Sequence, residues 1–163
     1  MESSNNEIEE IEYSIRDEIS KLLKVNSFRI QNKEIEVNVE CDTNVPESLI
    51  GDGAHIKEVI NHLLSNSIKY TDKGYITIRV DWEKKKSTSG ILKISIIDTG
   101  EGIADEIKEH IFESGGNESN HQNVGLGLPI SKHLVERMGG DLTFDSEIGK
   151  GSTFVFTVPQ KTK

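Results

Sequence analysis

The amino-acid sequence predicts a two-layer α/β sandwich, in which helices cover one face of a sheet. Segments that alternate between apolar and polar residues at period two, such as Glu34–Val39, are typical of half-buried strands. Between such segments lie helical stretches with one apolar side, the clearest of which runs from about Gly53 to Tyr70. Helices of this kind pack against a single partner layer. The 163 residues suffice for one domain with a buried core.

The predicted elements alternate along the chain. Strands are expected at about 8–13, 34–39, 75–82, 91–97, 142–144 and 153–158, and helices after a cap at Ser14 and at about 53–70, 105–112 and 128–138. The basic run from Glu83 to Gly90 is expected to form a solvated hairpin loop. The polar stretch from Glu113 to Val124 has the composition of a mobile loop. Gly139 and Gly140 are expected to end the last helix.

The composition disfavours several classes of protein. A formal net charge of −9 disfavours nucleic acid or an anionic membrane as the main partner. The single cysteine, Cys41, excludes an internal disulfide and fits a reducing compartment. No apolar run approaches the roughly 18 residues of a membrane span, and the first residues lack a signal-peptide pattern. We therefore expect a cytoplasmic domain without direct membrane contact.

A polar stripe on the helix that ends at Tyr70 is the first candidate for function. At about 100° per residue, Glu58, His62, Asn66 and Lys69 fall in one sector, roughly opposite the apolar side. The stripe is either an ordinary solvent-facing surface or the floor of a cleft. In a cleft, Asn66 is a magnesium ligand, because an amide oxygen suits a hard cation. Lys69 would then lie near phosphate, and Tyr70 could stack on a base.

A carboxylate at the end of a buried strand is the second candidate. Asp98 follows an apolar run, and Gly100 and Gly102 allow a flat ligand to approach the backbone. The carboxylate can accept a hydrogen bond from an exocyclic amine, which would select adenine over guanine. The alternative is a tight turn capped by aspartate. The third glycine of a dinucleotide fingerprint and the Gly-Lys-Ser/Thr of a phosphate loop are both missing.

A glycine pair before the last predicted helix is the third candidate. The segment Gly125–Pro129 combines small residues with a proline in the first helical turn. Such a helix start leaves backbone N–H groups exposed at the positive end of the helix dipole, which is a ready anion site. Taken alone, the segment is equally compatible with a plain helix start.

In this order, the motifs resemble the catalytic ATP-binding domain of sensor histidine kinases. The N, G1, F, G2 and G3 boxes of that family are matched by Asn66, Asp98-x-Gly-x-Gly, Ile111-Phe112-Glu113, Gly125-x-Gly-Leu and Gly149-x-Gly-Ser-Thr-Phe. The similarity covers residues 8–159, and the segment 45–52 is similar to hybrid kinases of two-component pathways. The resemblance implies the Bergerat ATP-binding fold, a mixed, mostly antiparallel sheet of about five strands with about three helices on one face, in a single domain over 1–163.

The resemblance also implies ATP and Mg²⁺ as ligands, with a role for each matching residue. Asn66 would bind the metal, Asp98 would accept from the adenine amine, and Tyr70 would lie beside the base. Lys69 would serve the phosphates, and the loop 113–124 would be the ATP lid. The remaining implied nucleotide contacts are Gly100, Gly102, Ile103, Phe112, Gly125, Leu126, Gly127, Leu128 and Thr153, the last near the adenine end.

The chain departs from the family pattern at two places. His62 stands four residues before Asn66, where the family usually has asparagine and the related ATPases have a glutamate that activates water. This disfavours an ATPase of the chaperone or topoisomerase type. It also makes His62 a catalytic candidate beside Asn66 and Lys69, since a neutral imidazole can hydrogen-bond a metal-bound water. The predicted lid is short and lacks the second aromatic and the basic residue common in the family.

The histidines of the chain do not lie in the sequence context of a phosphoacceptor. That context, in this family, is His-Glu or His-Asp followed by Thr or Asn and then Pro, and it surrounds none of His55, His62, His110, His121 and His133. The resemblance therefore implies a kinase domain that phosphorylates a separate helical dimerisation domain, with a response-regulator receiver domain as the further partner. The alternative is a catalytically weakened ATP-sensing regulatory module of the same fold.

Overall fold

The computed structural model describes residues 8–112 and 128–163 of the chain. Within them, a seven-stranded sheet carries helices on one face. The strands are β1 (Ile11–Tyr13), β2 (Glu34–Cys41), β3 (Leu49–Gly51), β4 (Lys73–Lys86), β5 (Ser89–Asp98), β6 (Asp141–Glu147) and β7 (Gly151–Lys161), and the helices are α1 (Ile15–Val25), α2 (Ser27–Gln31), α3 (Gly53–Tyr70), α4 (Asp105–Lys108) and α5 (Leu128–Arg137).

The sheet is mixed and mostly antiparallel, as predicted. Its order is β1-β3-β7-β5-β4-β2, and β6 also pairs with β7. The β2–β4 pair is parallel and every other pair is antiparallel. Since β5 takes one edge of β7, both β6 and the single Ile50–Lys161 pair of β3 lie on its other edge. The strand count exceeds the expected five because the three-residue strands β1 and β3 extend that side.

One face of the sheet is covered and the other is open. The even-numbered residues of Ile76–Trp82, Leu92–Asp98 and Ser152–Gln160 are all buried, whereas their odd-numbered neighbours are mostly half-buried or exposed. The apolar side of α3 packs on this covered face as part of the same core. Burying one face of a sheet under amphipathic helices gives the predicted two-layer sandwich.

Helix α3 forms over the predicted residues, Gly53–Tyr70. Its N-terminus is capped by Asp52, whose Oδ1 accepts from the His55 N–H at 3.0 Å. Helix α5 ends where predicted, since Gly139 adopts a φ of 87° and Gly140 donates its N–H to Val135 O at 2.9 Å. None of the helices within 8–112 and 128–163 has the length and hydropathy needed to cross a membrane.

Three local expectations are corrected. The basic run is not a loop, because β4 continues through Lys86 and β5 starts at Ser89, leaving a turn of two residues. The helix expected at 105–112 ends at Lys108, after which the chain continues in turns. The elements β3 and α2 were not predicted, since segments of three and five residues show too little periodicity. The predicted lid, Glu113–Val124, lies outside the described residues.

Candidate functional site

A cavity of about 300 Å³ opens at the C-terminal end of α3. It is enclosed by the last turn of α3, the end of β5, the segment that leads to α4, the start of α5 and the first residues of β7. The apolar part of its lining consists of Ile103, Ala104, Ile107, Ile111, Leu128, Ile148 and Phe154. The polar part consists of Asn66, Ser67, Tyr70, Asp98, Glu101 and Ser152, together with Gly102. Such a lining suits a flat apolar ligand with a few polar groups.

Asp98 is the buried carboxylate of this cavity and is only 6% exposed. Its Oδ1 accepts from the backbone N–H groups of Gly100 at 2.9 Å and Ser152 at 3.1 Å. Its Oδ2 accepts from the Ser67 hydroxyl at 2.8 Å. Burial nevertheless raises the pKa of Asp98 above its usual value, because the three neutral donors offset only part of the desolvation. A carboxylate in this state is a strong acceptor for a donor group on a ligand.

Two glycines allow backbone segments to meet beneath the cavity. Gly102 has a φ of 81°, and a Cβ there would lie 2.2 Å from the carbonyl oxygen of Glu147. Gly151 has a φ of 120°, and a Cβ there would lie 2.0 Å from the carbonyl oxygen of Asp98. Both positions therefore require glycine. The second close approach brings the N–H of Ser152 onto the Asp98 carboxylate.

The last turn of α3 contributes Asn66 and Tyr70 to the cavity wall. Asn66 is 9% exposed, and its Nδ2 donates to the His62 carbonyl at 3.0 Å, which fixes the plane of the amide. Burial, with a smaller contribution from the Glu101 charge, raises the pKa of Tyr70 to about 12. Within the described part of the chain, the buried hydroxyls of Tyr70 and Thr71 have no hydrogen-bond partner. A ligand or an ordered water at the cavity could supply one.

The other two catalytic candidates lie beside the cavity and are not among its lining residues. His62 points across to α5, where its Nδ1 lies 3.0 Å from the Ser131 Oγ. Its Nε2 lies 3.9 Å from Glu58 Oε2. Lys69 is exposed, with its Nζ 5.6 Å from the centre of the Tyr70 ring. The structure thus brings His62 into an α3–α5 contact and leaves Lys69 at the rim.

Helix α5 presents its N-terminal end to the cavity, since its first residue, Leu128, lines the wall. The N-terminal end of this helix carries the positive end of the helix dipole. The predicted contacts Gly125, Leu126 and Gly127 fall outside the described residues. Ile103, also predicted, lines the cavity beside Gly102.

Two of the predicted contacts, Phe112 and Thr153, are not among the residues that line the cavity. Phe112 packs edge-on against Phe144 with ring centres 5.6 Å apart and lies under the Lys132 ammonium at 5.2 Å, while its neighbour Ile111 lines the cavity. Phe112 therefore anchors the chain at the start of the predicted lid. Thr153 lies on the open face of the sheet, because successive residues of a strand alternate.

Sequence reasoning missed the serines that organise the site. Ser67 and Ser152 both contact Asp98. The Ser146 Oγ accepts from the Ile103 N–H at 2.8 Å and donates to Gly151 O at 3.1 Å, so it ties β6 to the cavity wall. A signal existed for Ser67, which lies on the apolar side of α3, and for Ser152, which shares the period-two phase of the apolar residues Phe154, Phe156 and Val158.

An open mixed sheet with a carboxylate, an amide and a helix N-terminus around one apolar cleft defines a two-layer α/β ligand-binding domain. Residues 51–162 match the family described as histidine kinase-, DNA gyrase B-, and HSP90-like ATPase, and the chain belongs to this family. The predicted family and its Bergerat fold are thereby confirmed.

Individual relatives come from histidine kinases. Hybrid signal transduction histidine kinase B of Dictyostelium discoideum is 39% identical over 164 residues, which cover 98% of this chain and 8% of that protein. The crystal structure of full-length ShkA in complex with AMPPNP is 25% identical with a TM-score of 0.82, covering 96% of this chain and 32% of ShkA. The histidine kinase ThkA in complex with the response regulator TrrA is 25% identical with a TM-score of 0.69, covering 93% and 42%. The chain thus spans less than half the length of each of these three relatives.

Proposed function

We propose that this chain is the ATP-binding catalytic domain of a sensor histidine kinase in two-component signalling. In this function the γ-phosphate of ATP passes to a histidine on a separate helical dimerisation domain. The observation that carries the proposal is the position of Asp98, a buried carboxylate at the base of an apolar cavity that also contains the amide of Asn66. The fit of each part of the ligand to this cavity supports it further.

The adenine base fits the apolar part of the cavity. Ile107, Ile111 and Phe154 offer apolar contacts for the ring faces, and Asp98 supplies a carboxylate in the same cavity. The carboxylate would accept from the exocyclic amine of adenine, whereas guanine would place a carbonyl oxygen against it. ShkA, which has a domain of the same fold, was crystallised in complex with AMPPNP, an ATP analogue. These features together favour ATP over GTP.

The residues at the end of α3 also fit Mg²⁺. Mg²⁺ keeps several waters and takes one or two oxygen ligands from the protein beside the phosphates, so a single amide such as Asn66 suffices. When bound, the ion neutralises charge on the transferring phosphate. The positive end of α5 and the nearby Lys69 would hold the phosphates, which offsets the net charge of −9 on the chain.

The acceptor and the receiver are proposed as partner domains. None of the five histidines has the sequence context of a phosphoacceptor, so the acceptor histidine is expected on the dimerisation domain. A response-regulator receiver domain would then accept the phosphoryl group, and the ThkA–TrrA complex supports contact between such proteins. ATP and the single Cys41 are consistent with a cytoplasmic location.

A second candidate function is a catalytically weakened ATP-sensing module. The observation in its favour is His62, which replaces the usual asparagine and is held against Ser131 on α5. In this case the domain would bind ATP and change its partner contacts without efficient transfer.

Phosphoryl transfer in trans tests the proposed function and separates it from this alternative. The domain is incubated with γ-labelled ATP, Mg²⁺ and a purified helical dimerisation domain from a hybrid kinase. We expect acid-labile label on the helical domain only, because positioning by a docked partner is needed for useful rates. Asn66→Ala should abolish the label, and Asp145→Asn, on the exposed side of β6, should leave it unchanged.

One result would contradict the separate acceptor, and a second would contradict the kinase assignment. Acid-labile label on the isolated domain would show that the chain carries its own acceptor. ATP binding without any label on the helical domain would favour the regulatory module.

A further inference from the structure

Ser67 connects the helix that carries Asn66 to the carboxylate of Asp98. Its side chain is 2% exposed, and its Oγ donates to Asp98 Oδ2 at 2.8 Å across the boundary between α3 and β5. A serine inside a helix commonly bonds to a carbonyl of its own helix or to water. Here the hydroxyl is directed at a buried acceptor 31 positions later in the chain.

The three donors to Asp98 are not equivalent. Gly100 and Ser152 use backbone N–H groups, both directed at Oδ1, so these two donors do not depend on a side chain of their own residue. Among the described residues, Oδ2 receives its hydrogen bond from a side chain, that of Ser67. The direction and the acceptor character of this oxygen therefore depend on a single hydroxyl group.

The Ser67 hydrogen bond favours the ionised carboxylate of Asp98, which can accept a hydrogen bond from a ligand. Burial alone favours the protonated carboxyl, and a protonated oxygen would donate to a ligand. A hydroxyl that donates to Oδ2 favours the ionised carboxylate and occupies one side of the oxygen. Both Ser67 and Asp98 line the cavity, so the remaining side of Oδ2 is available to a donor group of a ligand.

We propose that Ser67 is a positioning residue for base selection, which holds Asp98 Oδ2 as an acceptor for the exocyclic amine of a purine base. The inference rests on the proposed function and adds a residue to it. Ser67 follows Asn66 directly, so one turn of α3 would orient both the metal ligand and the base-reading carboxylate.

A pair of nucleotides tests whether Ser67 acts through Asp98. ATP carries the amine, and purine riboside 5′-triphosphate has a hydrogen in its place. Calorimetry with Mg²⁺ is performed on the wild type, Ser67→Ala and a control, Ser20→Ala, in which an exposed serine of α1 is removed. We expect the wild type and the control to bind ATP about tenfold more tightly than the analogue, as for a hydrogen bond to a charged group.

Ser67→Ala is expected to reduce this preference to about threefold or less by weakening ATP alone, with the affinity for the analogue changed by less than about twofold. An equal loss for both nucleotides, or no loss for either, would overturn the inference while leaving the proposed function intact. A wild-type protein that does not discriminate would overturn the Asp98–amine contact and, with it, the role of Ser67. Should Ser67→Ala fail to fold, Ser67→Cys, with its weaker donor, takes its place under the same expectations.

Discussion

A buried carboxylate contacts each end of α3, and the pKa values of the two groups are shifted in opposite directions. Asp52, 3% exposed, accepts from the N–H of Glu9 at 2.9 Å and lies 2.6 Å from the His55 Nδ1, in addition to capping the helix. Burial raises the pKa of Asp52, but these hydrogen bonds and the imidazole outweigh it, so the pKa is lowered. Asp98 has three donors as well, all neutral, and burial dominates, so its pKa is raised.

The difference separates a carboxylate that stabilises the fold from one that is kept for a ligand. A group with a lowered pKa stabilises the folded state above its usual pKa, and this stability is lost as the pH falls through the lowered value. For a raised pKa, the folded state binds the proton more tightly than the unfolded chain. Stability is then lost as the pH rises from the usual value through the raised one. Ionised Asp98 therefore costs stability at neutral pH, which is typical of functional sites.

Of the substitutions that test this difference, Asp52→Ala is expected to have the largest effect on stability. Asp52→Ala removes the helix cap and leaves the Glu9 N–H and the His55 ring without this acceptor, so we expect a loss of about 3 kcal/mol in the free energy of unfolding. Urea unfolding followed by the fluorescence of Trp82 measures it. Asp52→Asn retains a capping oxygen but cannot also accept from the Glu9 N–H, so it should lose less than Asp52→Ala but remain less stable than the wild type. A loss below about 1 kcal/mol in Asp52→Ala would contradict the structural role.

A smaller effect of opposite sign is expected at Asp98 in the absence of nucleotide. The amide oxygen of Asp98→Asn can keep the hydrogen bonds from Gly100 and Ser152, and its Nδ2 can donate to the Ser67 hydroxyl, while a buried charge is removed. We expect a gain of about 1 kcal/mol at pH 7, or about 2–4 °C in Tm. The gain should shrink on acidification, as Asp98 becomes protonated in the wild type. A variant less stable than the wild type at pH 7 would contradict the interpretation of the raised pKa.

The smallest effect is expected for substitution of His62, which lies within α3 between its two ends. This residue does not line the cavity but contacts Ser131 on α5, whose N-terminus faces the proposed phosphate position. His62→Asn, which introduces the residue usual in the family, should leave ATP affinity within about twofold and raise phosphoryl transfer in trans by about threefold, since transfer depends on positioning. The variant Ser131→Ala is the matched control, because it removes the hydroxyl that contacts the His62 ring and keeps the histidine. A changed ATP affinity in His62→Asn with an unchanged rate of transfer would show that His62 does not position the groups for phosphoryl transfer.

The sequence predicted the long periodic elements and the isolated polar residues best. Helix α3 was predicted because apolar residues recur at the helical period of about 3.6 over its 18 residues, and both Asn66 and Asp98 line one cavity. Short elements such as β3 depend on pairing with distant strands, which no local pattern reports. The F-box position of Phe112 did not reveal that its ring packs on Phe144.

Contacts between distant elements account for the rest of what was missed. The Ser67–Asp98 hydrogen bond joins α3 to β5, and the sequence around either residue does not indicate that the other is its partner. Thr153, the predicted contact, is out of phase with the buried residues at 154, 156 and 158, whereas Ser152 is in phase with them and lines the cavity.

The central claim is that the Asp98 carboxylate binds the base of ATP. The gain in the free energy of unfolding on adding Mg-ATP, compared between the wild type and Asp98→Asn, tests it most directly. At Mg-ATP about 100-fold above the wild-type Kd, the wild type should gain about 2.7 kcal/mol. A tenfold weaker variant should gain only about 1.4 kcal/mol, although it melts higher without nucleotide. A full ATP-induced gain in Asp98→Asn would contradict the claim.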